Sequence, residues 1–290
     1  MSTQFCTLAR AVETTGVGLH CGQTIRARLL PSDELGVVFV RTDLESGKPL
    51  VPAELRYVAT TTHATTLQRE DVRVQTVEHL LAALWTQGLT HVRVELDGPE
   101  VPILDGSALP WIELLERAGA RELPGTRPLA RFVCPVWWEG GGAQMLGLPL
   151  ENESLRLTVA VDFDAPGAGA QTFDGTVDAA AFARELAPAR TFTLERWLEP
   201  LRDAGLIRGG SLDNAVVIYD DGRPSSPPRM SNERARHKAL DALGDLALAL
   251  CASGARLSGH IVAIRAGHGA HRAFAAHALG SGALRIEAKS

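Results

Sequence analysis

Apolar positions recur along this chain with two different periods. The stretches TIRARLLP (24–31), LGVVFVRT (35–42), VRVQTV (72–77) and THVRVELDG (90–98) alternate in polarity or run apolar with β-branched residues, which predicts strands. TVEHLLAALWTQ (76–87) and ALPWIELLERAG (108–119) instead carry their apolar residues at helical spacing. Ser107 is placed to cap the second of these helices, with Pro110 in its first turn. The second half repeats the pattern. FVCPVWW (132–138) and LRLTVAVDF (155–163) predict strands, RHKALDALGDLALALC (236–251) a helix, SGHIVAIRAG (258–267) a strand and AHRAFAAHAL (270–279) a helix. Both halves therefore end helix–strand–helix after a run of strands. The expectation is an α+β fold of two similar domains, residues 1–122 and 123–290, each with helices layered on a sheet. The Pro-, Gly- and Arg-rich stretch ARELPGTRPLARF (120–132) looks like a linker, and GRPSSPPRMSN (222–232) like a loop.

The two longest-patterned helices carry polar residues at specific angles. With His237 at zero on a helical wheel, Asp241 falls at about 40°, Asp245 at about 80° and Lys238 at about 100°, whereas Ala239, Leu240, Leu243, Leu246 and Leu250 fall at roughly 180–300°. His237 and Asp241 thus stack one turn apart, either on a solvated stripe or as half of a metal site. In TVEHLLAAL, Leu80, Leu81 and Leu84 cluster within about 60° of Val77, and His79 falls near 200°, away from that stripe. Glu78 is its neighbour in sequence but about 100° round the helix, which suits a ligand with an adjacent base.

Composition narrows the chemistry. The 290 residues are 45% hydrophobic and 22% charged, ordinary for a globular protein, and the net charge of −5 argues against nucleic acid as a partner. The longest apolar run is too short to span a bilayer, and the first residues lack a signal-peptide pattern. Cys6, Cys21, Cys134 and Cys251 are scattered, so neither a disulfide framework nor a thiolate metal site is indicated; a reducing cytoplasm fits. A metal site in this chain must then use histidines and carboxylates. Zinc hydrolases typically use three such ligands and leave a fourth position open. His79, His237 and Asp241 make such a set if the two halves face each other, with Glu78 as base for the attacking water.

At this point the sequence resembles the zinc-dependent UDP-3-O-acyl-N-acetylglucosamine deacetylases of lipid A biosynthesis. The matches run in order through nearly the whole chain: GVGLHCG, TTL, TVEHLLAAL, VPILDGSALPW, ARTF, GGSLDNAVV, RHKALDALGDL and AGH. The resemblance implies a β–α–α–β sandwich with the active site between the helix layers, and zinc (ferrous iron as the alternative metal) on His79, His237 and Asp241. It further implies Glu78 as general base and His268 as an acid that also stabilises the oxyanion. Asp245 would orient or charge-balance His268, and Thr191 would hydrogen-bond the tetrahedral intermediate. Lys238 would bind polar parts of the substrate, and Phe192 would pack near the sugar or acyl group. The implied protein is a cytoplasmic, monomeric hydrolase whose partner is the small molecule UDP-3-O-acyl-GlcNAc. An apolar passage for the acyl chain would have the segment after ARTF as one wall.

The pattern also departs from the family. GHGAHR (267–272) has Ala270 and His271 where a Leu-Asn pair is expected, which puts in doubt how His268 is braced. His63 stands where a smaller residue or Cys is expected, either as a surface histidine or as an accessory polar group. Met230 replaces an aromatic, and the stretch 140–153 looks simplified. Two rival readings follow: a sugar-nucleotide-binding homologue with weak or no turnover, and a zinc deacetylase of another N-acetylated sugar. The glycines of GLHCG and GGS are expected at turn positions needing positive φ.

Overall fold

The structure is a computed structural model and describes residues 2–45, 49–163 and 169–287. The first half comprises β1 (Gln4–Leu8), β2 (Val12–Val17), β3 (Thr24–Pro31), β4 (Gly36–Arg41), β5 (Leu50–Pro52), β6 (Val58–Thr60), β7 (Thr66–Arg69), β8 (Val72–Val74), α1 (Glu78–Thr86), β9 (His91–Leu96), α2 (Leu109–Ala118) and β10 (Ala120–Thr126). Strands β1–β5, β9 and β10 form a seven-stranded sheet, and β6–β8 a three-stranded one. β9 is the hub of the larger sheet, parallel to β1 and β4 and antiparallel to β3.

The second half comprises β11 (Leu129–Phe132), β12 (Val136–Gly140), β13 (Ala143–Leu148), β14 (Leu155–Phe163), β15 (Gly169–Thr176), α3 (Ala179–Ala181), β16 (Phe192–Leu194), α4 (Leu198–Asp203), β17 (Val216–Ile218), α5 (Glu233–Ala247), β18 (Arg256–Ile264), α6 (His268–Gly280) and β19 (Leu284–Glu287). Strands β11–β15, β18 and β19 form a second seven-stranded sheet, and β16 pairs in parallel with β17. β18 plays the part of β9: it is parallel to β11 and β14 and antiparallel to β13.

The helices lie between the sheets. α1 packs on α5 and α2, α5 on α6, β14 and β15, and α6 on β12 and β13, so the layers run sheet–helix–helix–sheet. This arrangement explains why the polar stripes are not solvated. All nine residues of α1 are buried, and His237, Asp241 and Asp245 are each 1% exposed, because the side of each helix turned from its own sheet meets the other helix layer.

Three local expectations are corrected. The stretch 120–132 is not a free linker: β10 pairs with β1 from Gln4↔Thr126 to Leu8↔Ala120, and β11 pairs with β18. Between these strands, Arg127 is fully buried and donates to the carbonyls of Gly254, Ser2 and Ala255, which satisfies a side chain that composition suggests is solvated. Helix α5 ends at Ala247 rather than near Cys251, with tight turns closing Leu248 onto Asp245 and Leu250 onto Ala247. The segment after ARTF begins as strand β16 and turns helical at Glu195, through a 3₁₀ turn (Glu195–Trp197) that runs into α4. Finally, α6 begins at His268, not Ala270, so His268 is in the first helical turn rather than in a loop.

Candidate active site

The close packing of α1 on α5 brings the two halves of the predicted ligand set together. A Cβ on Gly244 would stand 2.0 Å from the Glu78 carbonyl oxygen, so only glycine lets the backbones approach this closely. His79 Nε2 and His237 Nε2 then each lie 3.4 Å from Asp241 Oδ1, and the three donor atoms are all within 4.8 Å of one another.

This cluster fits a metal ion on three counts. Donors about 2.0–2.2 Å from a shared tetrahedral centre stand roughly 3.4 Å apart, which is the spacing seen. Asp241 Oδ1 is buried with no hydrogen-bond partner, an arrangement that costs free energy unless a cation completes it. His237 Nδ1 donates to the Ala189 carbonyl at 3.0 Å, which leaves the Nε2 lone pair free to ligate. Burial drives the His237 imidazole down to about 3, so it is neutral at ordinary pH. Burial works against the charge on Asp241, but the Lys238 ammonium beside it outweighs this and holds the carboxylate well below its usual range. Lys238 Nζ donates to Asp241 Oδ2 at 2.7 Å and also lies 5.9 Å above the Phe192 ring.

A second group adjoins the first. Glu78 Oε2 accepts from the Thr65 backbone N–H at 3.1 Å, and Glu78 Oε1 lies 3.8 Å from His268 Nε2. Burial raises the Glu78 pKa above the usual carboxylate range. His268 Nδ1 donates to Asp245 Oδ2 at 2.8 Å. Burial disfavours the imidazolium, but Asp245 and Glu78 outweigh it and raise His268 to about 9. Asp245 is held down to about 2: its burial is outweighed by His268 and by hydrogen bonds from both His268 and His271.

Glu78, His79, His237, Lys238, Asp241 and His268 all border one cavity of about 430 Å³. Thr191 and Phe192 border it too, and its far wall is apolar, formed by Phe163, Trp197, Leu201, Ile207 and Leu212. Asp245 lies behind this wall and reaches the cavity through His268. All nine predicted site residues therefore gather at one place, eight of them on the cavity itself.

Sequence reasoning missed several neighbours. Thr65 bridges the two acidic groups, its N–H on Glu78 and its hydroxyl on Asp245 Oδ1. His20 borders the cavity and buries an unpartnered Nε2. Glu100, fully buried, accepts from the His20 and Cys21 N–H groups and from Thr76 Oγ1, and so holds both the GLHCG turn and the approach to α1, where Thr76 takes φ 57°. The GVGLHCG motif held the signal for His20. The expectation of positive φ there holds at Gly22 but not at Gly18, Gly209 or Gly210. Gly18 and Gly209 are instead close-approach positions, since a Cβ on Gly209 would stand 2.3 Å from the Gly18 carbonyl oxygen. His63 is exposed on the cavity rim with φ 64°.

Comparison with known proteins agrees with this geometry. A sequence model of the family described as UDP-3-O-acyl N-acetylglycosamine deacetylase (LpxC) matches residues 6–279. The chain is 44% identical over 277 residues to the UDP-3-O-acyl-N-acetylglucosamine deacetylase of Solibacter usitatus (strain Ellin6076), covering 94% of this chain and 90% of the relative. It is 41% identical over 271 residues to the protein of the same name from Nostoc sp. (strain PCC 7120 / SAG 25.82 / UTEX 2576), covering 91% and 94%. For the Myxococcus xanthus (strain DK1622) protein of that name the identity is 43% over 266 residues, covering 90% and 82%. The chain belongs to the UDP-3-O-acyl N-acetylglycosamine deacetylase (LpxC) family.

Proposed function

We propose that this chain hydrolyses the acetamide of UDP-3-O-acyl-N-acetylglucosamine, releasing acetate and the free amine, in lipid A biosynthesis. One observation carries the reading: a buried base, a buried acid and a three-donor cation site share a cavity whose other end is apolar. The polar end suits the acetamido sugar, and the apolar end suits the acyl chain.

His79, His237 and Asp241 are the residues that would hold a divalent cation, zinc or ferrous iron. When bound, the cation supplies Lewis acidity, which polarises the acetyl carbonyl and makes water a better nucleophile. Glu78, ionised and held by the Thr65 N–H, takes the proton of the attacking water. His268, kept protonated by Asp245, and the Thr191 side chain stabilise charge developing on the carbonyl oxygen. Glu78 or His268 then delivers a proton to the departing nitrogen; at 3.8 Å the two titrate as a pair. Lys238 keeps Asp241 ionised and faces polar parts of the substrate, while Phe192 packs against the sugar or the start of the acyl chain.

The two seven-stranded sheets with their helices support a division into two domains near residue 122, with β10 completing the first sheet. Among the described residues no helix is long and apolar enough to cross a membrane. A cytoplasmic site of action is part of the proposal. The test measures metal content together with acetate release from UDP-3-O-acyl-GlcNAc and from other N-acetylated sugars. The expected result is about one metal per chain and release from the acylated UDP-sugar. Metal-loaded protein that releases acetate only from a different sugar overturns the substrate assignment.

A further inference from the structure

Asp245 holds two imidazoles on one oxygen. His268 Nδ1 and His271 Nδ1 each lie 2.8 Å from Oδ2, and the Thr65 hydroxyl donates to Oδ1. Because α6 begins at His268, the two histidines are three residues apart on one helix face, and both reach the same carboxylate on α5. A carboxylate accepts only, so both Nδ1 atoms carry the proton. The two rings otherwise differ. His268 borders the cavity and turns its Nε2 towards Glu78, whereas His271 is 1% exposed and does not border the cavity. His271 therefore does not touch the reacting groups itself; it acts on them through its hydrogen bond to Asp245 and the edge-on contact of its ring with His268.

We propose that His271 is a positioning residue: it pins the Asp245 carboxylate from the buried side, so that His268 keeps one orientation and one tautomer. An aspartate with one imidazole partner is free to turn about its last torsion and exchange oxygens. Here Thr65 occupies one oxygen and His271 shares the other, which leaves His268 a single fixed acceptor. The fixed Nδ1–H···Oδ2 bond in turn aims His268 Nε2 into the cavity. This places a function on a position where the chain departs from the Asn expected of its family, and the amide of Asn offers an N–H from a similar place.

The inference rests on the deacetylase reading, which wild-type acetate release tests by itself. His271 is tested by comparing His271→Leu with His271→Asn, side chains of the same branched shape of which only Asn keeps a donor. The Leu variant should lose about tenfold in kcat with KM and metal content unchanged, and the Asn variant should recover most of that loss. In an Asp245→Asn background the Leu substitution should cost much less than in the wild type, because the carboxylate it helps to fix is already gone. His271→Ala repeats the comparison without a branched side chain, with thermal unfolding to show that each variant is folded. Equal kcat for Leu and Asn variants, or a loss undiminished in the Asp245→Asn background, overturns the proposal.

Discussion

Two aspartates one turn apart on α5 each face two buried histidines, yet the two clusters are built for different cargo. Around Asp241 the imidazole nitrogens stop 3.4 Å away, and Oδ1 has no hydrogen-bond partner. Around Asp245 they close to 2.8 Å, and both oxygens accept hydrogen bonds. The residue types are identical, as are the depth of burial and the parent helix. What separates them is which ring nitrogen faces the carboxylate. His237 spends its Nδ1–H on the Ala189 carbonyl and presents a bare Nε2, whereas His268 and His271 present Nδ1–H to Asp245. Lys238 balances the charge of Asp241 at Oδ2, so what the first cluster lacks is a partner at Oδ1, where both Nε2 atoms converge, whereas the second is complete with protons alone. Completeness of hydrogen bonding, not composition, distinguishes a cluster that could take a cation from one that is satisfied by protons here.

The sharpest way to break this contrast is to remove each aspartate in turn. Asp241→Ala should reduce bound metal from about one per chain to near zero and abolish acetate release. Asp245→Asn should keep the metal and lower kcat by roughly 10²-fold, through the orientation of His268. Elemental analysis beside a turnover assay reads both. Metal loss in the Asp245 variant would show that the clusters are one unit. Glu78→Gln, which touches neither aspartate, should lower kcat by roughly 10²–10⁴-fold with metal retained. Near-wild-type turnover in that variant removes Glu78 from the role of base.

Much of this was legible before any coordinates, for identifiable reasons. Strand alternation and helical spacing are local signals, so β3, β9, α1, α5 and β18 follow from the sequence pattern to within a few residues. The convergence of His79, His237 and Asp241 was legible because two of them share an i, i+4 spacing and the third sits beside an acid. Thr65 was not, since it joins Glu78 and Asp245 only when β7, α1 and α5 meet, and a threonine before a strand has no chemistry of its own. Arg127 was hidden in the opposite way: its composition looks like a solvated linker, and only the carbonyls of Gly254 and Ala255, far along the chain, make its burial tolerable. The start of α6 was misplaced by the glycines around His268, and with it the relation between His268 and His271.

Gly244→Ala separates the clusters by geometry rather than chemistry. The Asp241 cluster spans α1 and α5, from different halves of the chain, whereas the Asp245 cluster links α5 to α6 within one half. A new Cβ would meet the Glu78 carbonyl at 2.0 Å, a backbone contact that no rotamer relieves. The helices must part, at a cost of about 1–3 kcal/mol in stability. His79 and Glu78 move with α1, so metal affinity and kcat should both fall, the latter by up to about 10²-fold. The His268–Asp245 hydrogen bond should persist, seen as an unchanged imidazole N–H resonance. Loss of that resonance with full metal occupancy would reverse the order in which the clusters depend on helix packing.

The smallest effect concerns the proton held by the second cluster. His268 is raised to about 9 from an ordinary value near 6.5, against its burial, by Asp245 and Glu78. Folding therefore favours the protonated ring. The stability it contributes is fully present below about pH 6.5 and is lost as pH rises through about 9. In metal-free protein, NMR titration should place His268 near that value, and the stability difference between wild type and His268→Ala should shrink across the same window. Loading the first cluster adds positive charge nearby, so the titration should move down, and the alkaline limb of kcat should lie at the shifted value, falling about tenfold per pH unit beyond it. His271 donates to the same oxygen but is enclosed, so His271→Asn should leave that limb in place. An alkaline limb that survives His268→Ala unchanged would assign it to another group and leave His268 without its part in holding the proton.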